Sequence, residues 1–144
     1  TTAVVNARFT EPPDRVRKAL DVADNKVFAI ERVRSLDGSR ALFTTNWIPG
    51  AAGRLISDAS AVLSGESSLN SALADAGFEI VRARRTIHGL GAPGYVARHL
   101  GIQEGHPLLR IDSTSWTRGD RAVDYYETWV LTDTVPLEIN ISNS

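Results

Sequence analysis

Runs in which apolar and polar residues alternate, each cut off by a turn signal, dominate this chain and limit it to strand-rich folds. Val27-Phe28-Ala29-Ile30-Glu31-Arg32-Val33-Arg34 has a period of two, Asp37-Gly38 follows, and a second such run extends from Ala41 to Ile48. Two alternating runs across Asp-Gly predict a β-hairpin. Ala3, Val5, Ala7 and Phe9 alternate in the same way, and strands are also expected over 78–87, 108–116, 122–131 and in a last piece near 137–141. Between them lie stretches with helical spacing: Val16, Ala19, Leu20 and Ala23; Leu55, Ile56, Ala59, Val62 and Leu63; 69–76, closed by Gly77; and 93–100, stopped by Gly101. Helices interspersed with hairpins predict an α/β (α+β) domain with a mainly antiparallel sheet flanked by short helices.

The 144 residues suffice for one domain with a real core, so 1–144 reads as a single unit. With 16 basic against 17 acidic side chains, the formal charge is −1. That argues against a surface that grips duplex DNA by counterion release. Cys is absent, which excludes disulfides, thiolate metal sites and a Cys nucleophile. No apolar run is long enough for a bilayer and no signal-peptide pattern opens the chain, so no membrane is expected and the expected setting is cytoplasmic. Met is also absent, and the chain reads as part of a longer protein.

Gly89-Leu90-Gly91-Ala92-Pro93-Gly94 satisfies G-x-G-x-x-G, yet Pro93 removes a backbone donor that a pyrophosphate needs, and the segments beyond form a hairpin where a parallel crossover is required. His88, His99 and His106 lack zinc spacing, and no G-x-S-x-G elbow is present. No metal, cofactor or catalytic residue is expected. Alternation places Phe28, Ile30, Arg32 and Arg34 on one face, which begins as core and ends in two guanidiniums about 7 Å apart. Such a pair suits an anion between them, or else carboxylate partners and solvent. Ser67-Ser68 stands before a helix, where it can cap the helix or help hold a negative group. On the last long strand, Asp124, Tyr126, Thr128 and Val130 share one face while Tyr125, Glu127, Trp129 and Leu131 share the other. This mixture suits a pocket on the first face and a subunit interface on the second, with ordinary packing as the competing reading.

The string Glu31-Arg32-Val33-Arg34, Asp37-Gly38, Thr45-Asn46-Trp47-Ile48-Pro49 resembles the "R-x-R…D-G…E-T-S-Y-L-P" hairpin of the UTRA domain, the effector-binding domain of HutC-subfamily GntR-type bacterial transcription regulators. Ser67-Ser68-Leu69 is similar to its "S-L" helix start, Ala97 to Arg110 to its "A-x-x-L-G-(I/V)-x-x-G-x-P-(V/L)-L" segment, and Val123-Asp124-Tyr125 to its "(I/V)-E-Y" strand. The resemblance implies a chorismate-lyase-like fold, a homodimer, and a small anionic metabolite as effector. It also implies a winged helix-turn-helix before this chain, absent from it, through which alone DNA would be bound.

By the same resemblance, Arg32, Arg34 and Ser68 hold the anionic group. Thr44 stands where relatives often carry Glu, Asp124 shortens a second carboxylate, and Val130-Leu131 replaces a Tyr-Arg pair, leaving sugar hydroxyls fewer partners. The ligand set expected is therefore Arg32, Arg34, Ser68, Thr44, Asp124 and Val130. A three-residue loop with a glycine bulge at Asp37-Gly38 would put Thr44 on the Arg32 face, whereas a two-residue turn would put Phe43 there; the family pattern favours the first. The rival reading is a chorismate-lyase-like enzyme acting on a carboxylated small molecule.

Overall fold

The computed structural model describes residues 1–21, 26–57 and 69–143. Among them the elements run β1 (Thr2–Thr10), α1 (Asp14–Leu20), β2 (Val27–Leu36), β3 (Ser39–Pro49), α2 (Gly50–Ile56), α3 (Leu69–Asp75), β4 (Arg82–Gly91), α4 (Gly94–Leu100), β5 (Pro107–Trp116) and β6 (Ala122–Val130). The six described strands form one sheet in the order β1-β2-β3-β6-β5-β4, antiparallel at every pairing. This is the expected α+β architecture. Gly89 and Gly91 lie on β4, antiparallel to β5, so the glycine-rich string has no parallel crossover around it.

The β2–β3 hairpin settles the question of loop length by a third route. Leu36 pairs with Ser39, and Asp37 and Gly38 have φ of 51° and 80°, the positive values of a tight two-residue turn. Alone, that turn would set Phe43 opposite Arg32. The pairing instead jumps from Ser35↔Arg40 to Arg34↔Leu42, leaving Ala41 as a bulge and Thr44 opposite Arg32. The expected three-residue loop is absent, while its consequence holds. The Ala41 carbonyl accepts the Leu131 N–H at 2.9 Å, so the bulged backbone stays satisfied.

Helices cover both faces. On the Phe28 face, Ala52 and Ile56 of α2 and Leu69 and Leu73 of α3 pack on Phe28, Ile30, Ile48 and Val123. A second bulge, at Val123, interrupts the β5–β6 pairing and turns this residue into that core. On the opposite face, Val16 and Leu20 of α1 cover Ala29, Trp47 and Tyr125, and Val96, Ala97 and Leu100 of α4 cover Phe43, Trp129 and Leu131. The face of Tyr125, Trp129 and Leu131, for which the sequence leaves a subunit interface and ordinary packing both open, is therefore core: two helices of the same chain already occupy it. Gly77, at φ +94°, closes α3 by letting the Phe78 N–H reach back to the Leu73 carbonyl at 2.8 Å.

Three boundaries differ from expectation. β4 begins at Arg82 and continues to Gly91. α2 starts directly at Gly50, with Pro49 before its first turn; the expected continuation toward Leu63 lies outside the described residues. No strand forms near 137–141, where Ile139 and Ile141 are exposed.

The α2–β2 contact is the tightest helix-to-sheet approach at a glycine: a Cβ on Gly53 would lie 2.5 Å from Phe28 Cβ. Gly53→Ala gains up to about 1 kcal/mol of helix propensity, but the added methyl meets a main-chain-anchored atom in a packed core, which costs about 1–3 kcal/mol. Urea denaturation is expected to show a net loss of stability, whereas Gly119→Ala, whose Cβ meets nothing within 4 Å, stays within about 0.5 kcal/mol of the parent.

Candidate functional site

Beyond Phe28 and Ile30 the inner face of the sheet becomes polar. Antiparallel register sets Arg32, Thr44 and Thr128 in one row across β2, β3 and β6, and Ile30, Asn46 and Tyr126 in the next. Together with Asp124 of β6 and Leu69 and Asn70 of α3, all of these except Ile30 line a cleft of about 260 Å³. Alternation is why they converge: residues two apart on a strand share a face, and three adjacent strands bring those faces side by side.

The hydrogen bonds in the cleft form a diagonal chain. Arg32 Nη2 donates to Asn46 Oδ1 at 2.8 Å, and Asn46 Nδ2 donates to both carboxylate oxygens of Asp124, at 3.0 and 3.2 Å. Asn46 and Asp124 are buried. Arg32 Nε is buried as well and has no hydrogen-bond partner among the described residues. The hydroxyls of Thr44 and Thr128 lie 3.0 Å apart and share a proton donor between them. Tyr126 accepts a hydrogen bond from Arg85 Nε at 3.1 Å, which leaves its own O–H as a donor. Burial pushes the Asp124 carboxyl up to about 6, opposed by the Asn46 hydrogen bond and the Arg32 charge. Burial likewise lowers the Arg32 pKa, with Asp124 working against it. A part-buried cation and a buried anion thus face one cleft, separated by an amide.

Of the six expected ligand residues, Arg32, Thr44 and Asp124 line this cleft. Arg34 is exposed on the same strand and does not line it. Val130 is buried against β3 and β5, opposite Leu42 and Leu109, and is also outside the lining. Ser68 lies outside the described residues. Asn46 and Asn70 escaped the sequence reading. A two-residue step from Thr44 would have found the first; nothing local marks the second.

On the other sheet face opposite charges meet directly: Arg15 pairs with the buried Glu127, and Arg110 with Asp112 at 3.0 Å. A wider hollow of about 520 Å³, lined by Leu20, Pro49, Trp116 and Arg121 among others, lies elsewhere. It has no chain of buried polar groups like that joining Arg32 to Asp124, so the smaller cleft is the better candidate. Among the described residues no group of three or more His, Cys, Asp or Glu is placed to hold a metal, and no helix is long and apolar enough to cross a membrane.

The sequence profile of the UTRA domain matches residues 1–136. Among solved structures, a ligand-binding domain assigned to a GntR-family transcriptional regulator of Bordetella bronchiseptica superposes with a TM-score of 0.89 at 24% identity, covering 99% of this chain and 88% of that one. A GntR-family regulator from Enterococcus faecalis V583 gives 0.81 at 20% identity, covering 99% and 100%. The effector domain of PhnF from Mycobacterium smegmatis gives 0.82 at 20% identity, covering 92% and 80%. No curated protein matches in sequence.

The raised pKa of Asp124 has a definite sign in stability. The folded state holds this proton more tightly than the unfolded chain, so the contribution is complete below about pH 3.8 and is lost as pH rises through about 6. Asp124→Asn removes the titration. Between pH 7.5 and pH 5, urea denaturation is expected to show wild type gaining on the order of 1 kcal/mol relative to the variant; a constant difference would mean that Asp124 ionises normally.

Proposed function

The chain belongs to the UTRA domain family, and from that premise we propose how it works as the effector-binding domain of a GntR-type transcriptional regulator: a small anionic metabolite enters the cleft between β2, β3, β6 and α3 and is held by Arg32. The observation that carries this reading is the buried Arg32 Nε, a donor with no partner among the described residues at the wall of the cleft. An oxyanion would satisfy it, with the planar guanidinium offering paired donors. Thr44, Thr128 and the Tyr126 hydroxyl supply neutral hydrogen bonds to the rest of the ligand. Asp124 attracts a donor group.

Arg34, two residues further along the strand, adds long-range attraction to the anion rather than direct contact. Ser68, next to Leu69 in sequence, offers the ligand a further hydroxyl. Val130, beside Leu42 on the neighbouring strand, borders the site beyond Thr128. Thr44 in place of a longer carboxylate leaves the site poor in partners for sugar hydroxyls, which favours a compact phosphorylated or carboxylated metabolite. The similarities reported above are to regulator domains, so sensing is preferred to chorismate-lyase-like turnover.

In the whole protein, of the HutC subfamily and working in the cytoplasm, residues 1–144 serve as the effector-binding and dimerisation unit. A winged helix-turn-helix before them meets DNA. Effector binding shifts the population of dimer geometries, and with it the spacing of the two DNA-binding heads. With the Tyr125–Trp129 face covered, the homodimer forms through the β4–β5 end of the sheet. Supporting this is β4, exposed along nearly its whole length, with Ile87 and Leu90 among its exposed apolar side chains.

Two measurements test the proposal. Phosphate at fixed ionic strength is expected to raise the melting temperature through binding to the native state. Arg32→Ala should abolish that rise, Arg34→Ala should diminish it, and Arg32→Lys should restore only part of it; equal rises in all four proteins would remove the anion site. Sedimentation at high micromolar concentration is expected to give a dimer that Ile87→Glu dissociates, and a monomer throughout would remove the dimerisation role.

A further inference from the structure

We propose that Arg32, Asn46 and Asp124 act as one unit that takes up an oxyanion together with a proton, so that the affinity of the cleft for its anionic effector falls as pH rises. This inference rests on the reading of the cleft as an anion site and adds a second ligand to it, the proton.

The geometry leads there through Asn46. Its amide is fixed at both ends, the oxygen receiving Arg32 Nη2 and the nitrogen donating to Asp124. Arg32 and Asp124 are therefore not a direct ion pair: each is tied to the other through a neutral group that can turn over. When Arg32 aims its donors at an oxyanion, Asn46 Oδ1 loses the donor it had. At the same time the cation that favoured a charged Asp124 is neutralised by the ligand, and a second negative charge has entered the same cleft. Both changes favour the protonated carboxyl. A proton taken from solvent onto Asp124 resolves both, because the new O–H donates to the amide oxygen once Asn46 turns over, and the Asn46 N–H groups are released toward the ligand.

Among the described residues, few other groups bear on this carboxyl. Arg32 reaches it from β2, and Asn46, uncharged, from β3. Ser115 stands opposite it on β5, and Leu69 and Asn70 line the cleft from α3; none of these three titrates. Tyr126 lies two residues away with its oxygen held by Arg85. Burial already brings Asp124 to about 6 in the empty cleft, so the linkage operates above that value, where the empty site is ionised and the occupied one is not. Below about pH 6 both forms carry the proton and the dependence flattens.

Sulfate is the probe, since its own charge is constant across this range. Calorimetric titration at fixed ionic strength is expected to give a Kd about fivefold to tenfold higher at pH 8 than at pH 6. At pH 7, runs in two buffers of different ionisation enthalpy should reveal net proton uptake per sulfate bound. Asp124→Asn should bind sulfate with the same Kd at both pH values and with no proton uptake. Sulfate binding that Arg32→Ala abolishes but that is indifferent to pH in wild type would overturn the coupling and leave the anion site standing. A pH dependence that survives in Asp124→Asn would overturn it too, assigning the effect to the protein's overall charge. No sulfate binding at either pH would overturn the anion site and the coupling together.

Discussion

The pairing of β3 with β6 holds this molecule together. It joins residues 42–47 to residues 125–130, and β4, α4 and β5 fold back to fill the sheet beyond it. Everything of interest hangs on that seam. On one face it carries the Thr44–Thr128 contact and the Asn46–Asp124 bonds; on the other it sets the Trp47 ring 5.8 Å from that of Tyr125. A contact between segments so far apart in sequence costs loop-closure entropy that no local propensity offsets. The two cores flanking the seam must therefore form with it, which makes slow, cooperative folding the natural behaviour of this topology.

Much of this was legible from alternation. The hairpin across Asp37-Gly38, the strands β5 and β6 and the division of β6 into a Tyr126 face and a Tyr125 face all follow from a period of two. Alternation says which residues share a face but not what covers it. Tyr125, Trp129 and Leu131 looked as much like an interface as a core, and only the placement of α1 and α4 decides. The Ala41 bulge was hidden for a similar reason: a bulge satisfied by a remote N–H, here that of Leu131, leaves no mark in the local sequence. Arg32, Thr44 and Asp124 were found because they sit on strands with clear periodicity. Asn46 was passed over because a polar residue amid Trp47 and Ile48 reads as a break in a core pattern, when it is the middle of a buried polar chain.

The cleft pays a cost in stability for what it offers a ligand. A buried carboxylate with a pKa of about 6 and a part-buried guanidinium whose Nε has no partner among the described residues are both poor packing. A direct contact between them would relieve the expense and close the site. The interposed amide keeps them apart, so that each retains capacity for something else. Partial satisfaction of this kind distinguishes the cleft from the Arg15–Glu127 pair on the other face, where cation and carboxylate meet directly.

The bulge at Ala41 works as a phase setter. With it, β3 turns Leu42, Thr44 and Asn46 toward the cleft; without it, the same strand would present Phe43, Thr45 and Trp47 to that side and drop the polar row into the opposite core. The chemistry of the site is thus written in a reading frame of period two, opened by one surplus residue. Sequence drift at individual positions can retune such a site gradually, but a single-residue insertion or deletion between Gly38 and Leu42 would exchange its entire inner surface at once. Length, more than composition, is what this hairpin must preserve.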